Sequence, residues 1–378
     1  QEPQKASATP AAPAGYVYIT NNGEGTVSEF SRQTDGSLNF LRSAKAGAVN
    51  GPTGIAIDPS SRFLYVANEG DGRVRQFRIR SDTGDLAIIG DGSVDDGPAS
   101  GPQQVAISPH GGLLYVTNSG KSSDGKTSAG SISEYTIDGA TGALKPLAPF
   151  RGGGLQNPLG IAFMPNGKFV YVSDIGAGTI VAFAVEPSGK LKLVASTPSL
   201  GDKPGQPGLV AVHPSGRFVY TVDRYSGLVV VARPAEDGRL VVVKTYHVGI
   251  STSGPFGIAS AAVGPNVFLY TSNQGGDTVS SMAVRSDTLD LVGECPTGLG
   301  DPTGMVADPS GHNLYVVNRD ASTVAQFAIA ATKGVALTPA ASVFTVASPD
   351  EASHPLYIAT TRWDARASEA QTRASRTN

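Results

Sequence analysis

The sequence predicts an all-β protein, a seven-bladed β-propeller whose N- and C-terminal strands share one blade. Three observations carry that prediction. A unit of Gly/Asn/Asp-Pro, an apolar run, a polar bend, a Leu/Val-Tyr-Val run and a final Asn or Asp recurs along the chain, most clearly at 51–77, 157–183 and 301–327. Within each unit the apolar residues form short β-branched and aromatic runs separated by Gly, Pro, Asp and Ser, with no 3.6-residue period. The first copy also lacks its Pro-containing first strand, and a matching segment, His354-Pro355-Leu356-Tyr357-Ile358-Ala359-Thr360, stands at the far end of the chain.

Taken in order, residues 1–15 are rich in Ala and Pro and read as a flexible tail of the kind left after removal of an export signal. The propeller is expected over 16–362. Its second strands carry Tyr18, Tyr65, Tyr115, Tyr171, Tyr220, Tyr270 and Tyr315, spaced 45 to 56 residues apart. That spacing suits one four-stranded antiparallel blade per repeat. Each second strand ends in Asn or Asp (Asn21, Asn68, Asn118, Asp174, Asp223, Asn273, Asn318), short side chains suited to bonding turn backbone. The next residue varies: Asn22, Glu69, Ser119, Ile175, Arg224, Gln274 and Arg319. Variation on a constant scaffold is where a ligand site is written. The closing segment completes the first blade and removes two sheet edges. Residues 363–378 are expected to form a second tail outside the ring.

Composition narrows the function classes. The chain of 378 residues holds 47 glycines and 26 prolines, and only 16% of it is charged, which suits a turn-dense β protein. A net charge of −3 without a polybasic run argues against nucleic acid or an anionic membrane as partner. No run of 18 apolar residues exists, so no membrane insertion is expected. The single Cys295 excludes an intrachain disulfide and a Cys-rich metal site. His110, His213, His247, His312 and His354 are scattered without metal-ligand spacing, and Asp91, Asp95 and Asp96 read as a polar loop. Gly120–Thr127 fits the phosphate-loop pattern, but no helix follows it, and it reads as a solvated loop. No cofactor and no metal are expected.

The stretches LYVANEG, LYVTNSG and YITNNGEGTVSEF resemble the YVTN repeats of bacterial extracellular propellers. The blade order and the C-terminal closing strand resemble the lactonase-type seven-bladed family, whose namesake is 6-phosphogluconolactonase, over about residues 15–362. The resemblance implies a secreted or periplasmic bacterial protein. It also implies a site made of a His near the start of the fourth blade's first strand, an Arg in the next blade's Gly-Pro-Arg-His, and a Glu after that blade's second strand. This chain carries Asn157-Pro158-Leu159-Gly160, Gln206-Pro207-Gly208-Leu209 and Asp223-Arg224 at those positions. The scaffold matches and those catalytic residues do not, so no residue is assigned as catalytic.

First strands start, and second strands end, on the same face of an antiparallel blade, so their flanking residues should converge on one channel mouth. The candidate ligand-binding residues there are Glu69, Gln103, Gln104, Asp174, Asp223, Arg224, Tyr225, Gln274 and Arg319. They stand against a small or apolar background of Thr53, Leu159, Phe256, Thr303 and Leu356. Arg224 and Arg319 either pair with Glu69 or Asp174 across the mouth or hold a ligand carboxylate, for which a bidentate guanidinium is well shaped. The expected function is an exported binding module that presents this mouth to a small molecule or protein partner. The alternative is a divergent lactonase-family hydrolase or isomerase acting on a sugar lactone or sugar acid.

Overall fold

The computed structural model describes residues 12–95, 100–121, 128–248, 254–286, 288–298, 300–330, 337–345 and 353–362. Their strands form seven antiparallel sheets, six of four strands and one, the third blade, whose outer edge is split between Leu144–Pro146 and Phe150–Arg151. The Pro-led first strands are innermost. Pro52–Ile57 packs on Pro102–Ile107, and the series continues through Pro158–Phe163, Pro207–Val212, Pro255–Val263 and Pro302–Ala307. Pro355–Thr360 lies between the last of these and Pro52–Ile57, which closes the ring. That strand pairs with Gly15–Asn21, so one blade is built from both ends of the chain. Of the expected tails, 1–15 and 363–378, residues 1–11 and 363–378 lie outside the described residues, whereas the Ala14 N–H donates to the Arg32 carbonyl and Gly15 opens the strand Gly15–Asn21.

The inner ring is tight because small residues sit where neighbouring first strands approach. A Cβ on Gly54 would come within 2.5 Å of the Gln104 Cα atom. The ladder also slips just after each first-strand proline, as between Pro52 and Ile55, where proline offers no N–H donor.

The repeated tyrosine has a structural purpose. Its buried hydroxyl donates to a glycine carbonyl in the outer hairpin of the next blade: Tyr18 to Gly84 (2.6 Å), Tyr65 to Gly142 (2.7 Å), Tyr115 to Gly189 (2.8 Å), Tyr171 to Gly238 (3.1 Å) and Tyr315 to Gly36 (2.7 Å). The accepting glycines have positive φ, and a Cβ on Gly84 would strike the Tyr16 ring at 2.3 Å. A second clasp uses a buried Glu or Gln on the third strand. Its side-chain oxygen accepts the N–H that opens the next blade's outer strand: Glu29 from Leu86 (3.4 Å), Gln76 from Leu144 (2.7 Å), Glu134 from Leu191 (3.1 Å) and Gln326 from Leu38 (3.0 Å). Between blades the core is aliphatic and aromatic, as where Tyr65, Leu114, Val116 and Tyr135 pack together.

Candidate functional site

First-strand starts and second-strand ends surround one cavity of about 530 Å³ at a mouth of the channel. Its floor is largely apolar, from Thr53, Leu159, Phe256, Leu356 and Tyr357. A second cavity of about 180 Å³ lies along the inner strands, lined by residues such as Ile55, Ile161, Val210 and Met305. Tyr357 borders both, so it stands between the mouth and the channel interior.

Glu69 follows the end of its strand by one residue, and its N–H donates to the Gly51 carbonyl at 2.7 Å, which fixes the backbone at the rim. Burial pushes its carboxyl pKa up, while a hydrogen bond from the Gln103 side chain and the nearby Lys121 ammonium work against that shift. Arg224 is placed the same way, its N–H donating to the Gln206 carbonyl at 2.9 Å. Its guanidinium lies 5.1 Å over the Phe256 ring, and Nη2 donates to Gln274 Oε1 at a long 3.4 Å. Among the described residues its buried Nε has no partner and no carboxylate forms an ion pair with it. Arg319 differs: it pairs with Asp301 at 2.5 Å and with Asp320 at 3.1 Å, leaving its side chain 41% exposed. Glu69 and Arg224 meet electrostatically at the Tyr357 hydroxyl, whose pKa is raised by burial, lowered by Arg224 and raised by Glu69.

Glu69, Gln103, Arg224 and Arg319 therefore line the mouth. The other five candidates do not. Strand alternation turns Gln104 into the inner cavity. The Asp174 carboxylate is buried in its turn, accepting N–H groups of Gln156 (2.8 Å), Asn157 (2.9 Å), Gly176 and Ala177 (both 3.1 Å). Asp223 likewise accepts from Gln206 N at 2.5 Å and Ser226 N at 2.9 Å. Tyr225 is 79% exposed and lies outside the cavity. Gln274 supports Arg224 from behind. Neither arginine forms an ion pair with Glu69 or Asp174 among the described residues.

The structure adds Asn22, Lys121, Asn157, Asp320 and His354 to the mouth. Asn157 and His354 occupy one repeat position, directly before the first-strand proline, and that shared position was the signal available in the sequence. Lys121 sits at the start of the phosphate-loop-like stretch, whose residues 122–127 lie outside the described residues, as does Asp96. Among the described residues no group of three His, Cys, Asp or Glu is placed to hold a metal ion, and no helix is long and apolar enough to cross a membrane. The mouth thus combines a half-buried carboxyl of raised pKa, a guanidinium without an ion pair among the described residues and several amide or hydroxyl groups. Together they can accept a proton and stabilise developing negative charge.

The model of the family described as lactonase, 7-bladed beta-propeller matches residues 1–100, 156–253 and 210–351. No curated protein matches the sequence. Among solved structures, the chain is similar to the periplasmic gluconolactonase of Pseudomonas aeruginosa, at 22% identity and a TM-score of 0.73 over 93% of this chain and 99% of that one. It is also similar to a candidate 6-phosphogluconolactonase of Bacteroides uniformis, at 20% identity and a TM-score of 0.73 over 92% and 99% of the two chains. A third such protein, from Bacteroides fragilis, aligns at 20% identity and a TM-score of 0.72 over 94% and 99%. At these identities the solved structures share the fold.

Proposed function

The chain belongs to the seven-bladed β-propeller lactonase family, and from that footing we propose that it hydrolyses a small, hydroxyl-rich lactone at the channel mouth. The observation that carries this reading is that a half-buried Glu69 and Arg224, which has no carboxylate ion-pair partner among the described residues, line one cavity. In this reading Glu69 takes a proton from water as the water oxygen attacks the lactone carbonyl carbon, a task suited to a carboxyl that burial makes more basic than an exposed one. Arg224 faces the oxyanion that develops, and its stack on Phe256 holds it without an ion pair among the described residues. A cavity of about 530 Å³ accommodates a sugar-sized ring, and Gln103 and Asn157 offer amides to its hydroxyls.

The named activities of the similar proteins support lactone opening over binding without turnover, the function the sequence alone favours. Binding retains one supporting observation: Asn157, Gln206–Leu209 and Asp223-Arg224 stand where the family resemblance implies His, Arg and Glu. An exported location is proposed as well, on the periplasmic name of the Pseudomonas protein. A panel of aldono-γ- and δ-lactones followed by acid release separates the readings. Turnover above the spontaneous rate supports hydrolysis, whereas saturable binding without acid release supports a binding module.

A further inference from the structure

Opening a lactone leaves an alkoxide on the former ring oxygen, and one side chain at the mouth is suited to protonate it. His354 lines the same cavity as Glu69 and Arg224, and no other histidine does. It is exposed to that space, and it comes from the closing segment rather than from an ordinary repeat. Its φ is +45°, a left-handed conformation that residues with a Cβ adopt seldom, and helical dihedrals are further disfavoured before a proline such as Pro355. The same pre-proline position elsewhere holds Gly51, Gly101, Asn157, Gln206, Gly254 and Asp301. Where φ is positive there, at Gly101, Gly254 and Asp301, the residue is glycine or aspartate, the types this conformation accepts most readily. Packing does not account for the histidine. Its carbonyl accepts the Asn22 N–H at 3.1 Å, a bond that any residue would supply. Strain retained at a functional opening, with a titratable side chain directed there, points to chemistry.

Resting on the lactonase reading, we propose that His354 is the general acid of the reaction. Water loses a proton to Glu69 as its oxygen bonds to the carbonyl carbon. The ring C–O bond then breaks with its electron pair leaving on the ring oxygen, and the His354 imidazolium gives that oxygen its proton. The products are the ring-opened hydroxy acid, a neutral imidazole and a protonated Glu69. Solvent reprotonates the imidazole and takes the proton from Glu69, and the product carboxylic acid ionises, so one lactone and one water give one carboxylate and one proton. The charged groups around the imidazole's cavity are Glu69, Lys121, Arg224, Arg319 and Asp320. Because His354 arrives with the closing strand, the site is complete only when the ring is shut.

The test compares two leaving groups. An aliphatic δ-lactone expels an alkoxide that needs a proton, whereas dihydrocoumarin expels a phenolate that leaves without one. His354→Asn, which tolerates positive φ, should lower kcat on δ-valerolactone by about 100-fold and change turnover of dihydrocoumarin little. His354→Gly, matching Gly101 and Gly254, should repeat the pattern in a variant whose backbone is relaxed. Equal losses on both substrates, or parent rates in both variants, overturn the assignment while leaving lactone hydrolysis standing. A parent protein that opens neither these substrates nor an aldonolactone overturns the lactonase reading, and this assignment with it; where aldonolactones alone are opened, an unchanged kcat for them in both variants overturns the assignment.

Discussion

The Tyr315 hydroxyl donates to the Gly36 carbonyl at 2.7 Å, joining residues 279 positions apart and the seventh blade to the first. The same bond recurs between four other neighbouring pairs of blades. Among the described residues the buried Tyr220 and Tyr270 hydroxyls have no hydrogen-bond partner. Tyr315→Phe should therefore cost about 1–2 kcal/mol, because it strands a buried carbonyl. Tyr220→Phe should change stability by only a few tenths of that, because it breaks no bond among the described residues. Urea midpoints for the two variants check the contrast, and equal losses would show that the ring packing rather than the hydroxyl bond matters.

Arg32 and Asp308 form a second link across the closure. Their side chains are 5% and 1% exposed, with Nη1 and Oδ2 3.5 Å apart. Arg32 also donates to the Ala14 carbonyl at 3.1 Å. Arg32→Met removes one partner of a buried pair and should destabilise by roughly 3 kcal/mol. Asp308→Asn should cost less, since the turn donors from His312 and Asn313 remain. Thermal unfolding of both variants measures the difference.

Burial raises the Glu29 and Glu134 carboxyls from an ordinary 4.5 to about 7. In each case the N–H of the next blade and a neighbouring cation, Arg42 or Lys190, oppose the shift without cancelling it. Below pH 4.5 both folded and unfolded chains hold these protons. Between 4.5 and 7 the unfolded chain ionises while the folded one resists, so stability falls as pH rises, and the loss is complete above 7. Glutamine already makes the equivalent bond at Gln76 and Gln326. Glu29→Gln or Glu134→Gln should thus stabilise the protein by roughly 1–2 kcal/mol at pH 8 and by almost nothing near pH 4.5. Denaturant titrations at the two pH values check this, and a gain that does not depend on pH would contradict it.

The ring, its seven blades and its shared first blade are legible because each repeat must bury the same faces and make the same Tyr and Pro contacts. The mouth is legible for a related reason: strand direction alone brings residues 53 and 69 to one end of a blade. Individual side chains are not. Asp174 and Asp223 share a repeat position with five asparagines, and the carboxylates differ only in facing the N–H groups of a preceding loop. The asparagines face acceptors, as when Asn68 donates to the Ala46 carbonyl at 3.1 Å. Gln103 and Gln104 look equivalent in sequence until the pleat sends one to the mouth and the other into the channel. His354 escapes notice because its neighbours in space, such as Glu69, are nearly 300 residues away in the chain.

Arg224 and Arg319 should separate when each is replaced by methionine. Arg224 has no carboxylate partner among the described residues, so Arg224→Met should leave the melting temperature nearly unchanged while lowering kcat/KM for a lactone by about 100-fold. Arg319 is neutralised by Asp301 and Asp320, so its loss should affect turnover less and stability more, by freeing the partly buried Asp301 carboxylate. Steady-state kinetics with parallel melting curves read both effects.

The most direct measurement is the rate of acid release from saturating aldonolactone by Glu69→Gln, with folding confirmed by circular dichroism. Glutamine keeps the shape of the side chain and can still bond Gln103, but it cannot take a proton from water. Lactone hydrolysis at this mouth predicts a kcat about 10² to 10⁴ times lower than that of the parent protein, with a folded ring. A folded Glu69→Gln protein that turns over at the parent rate would contradict it.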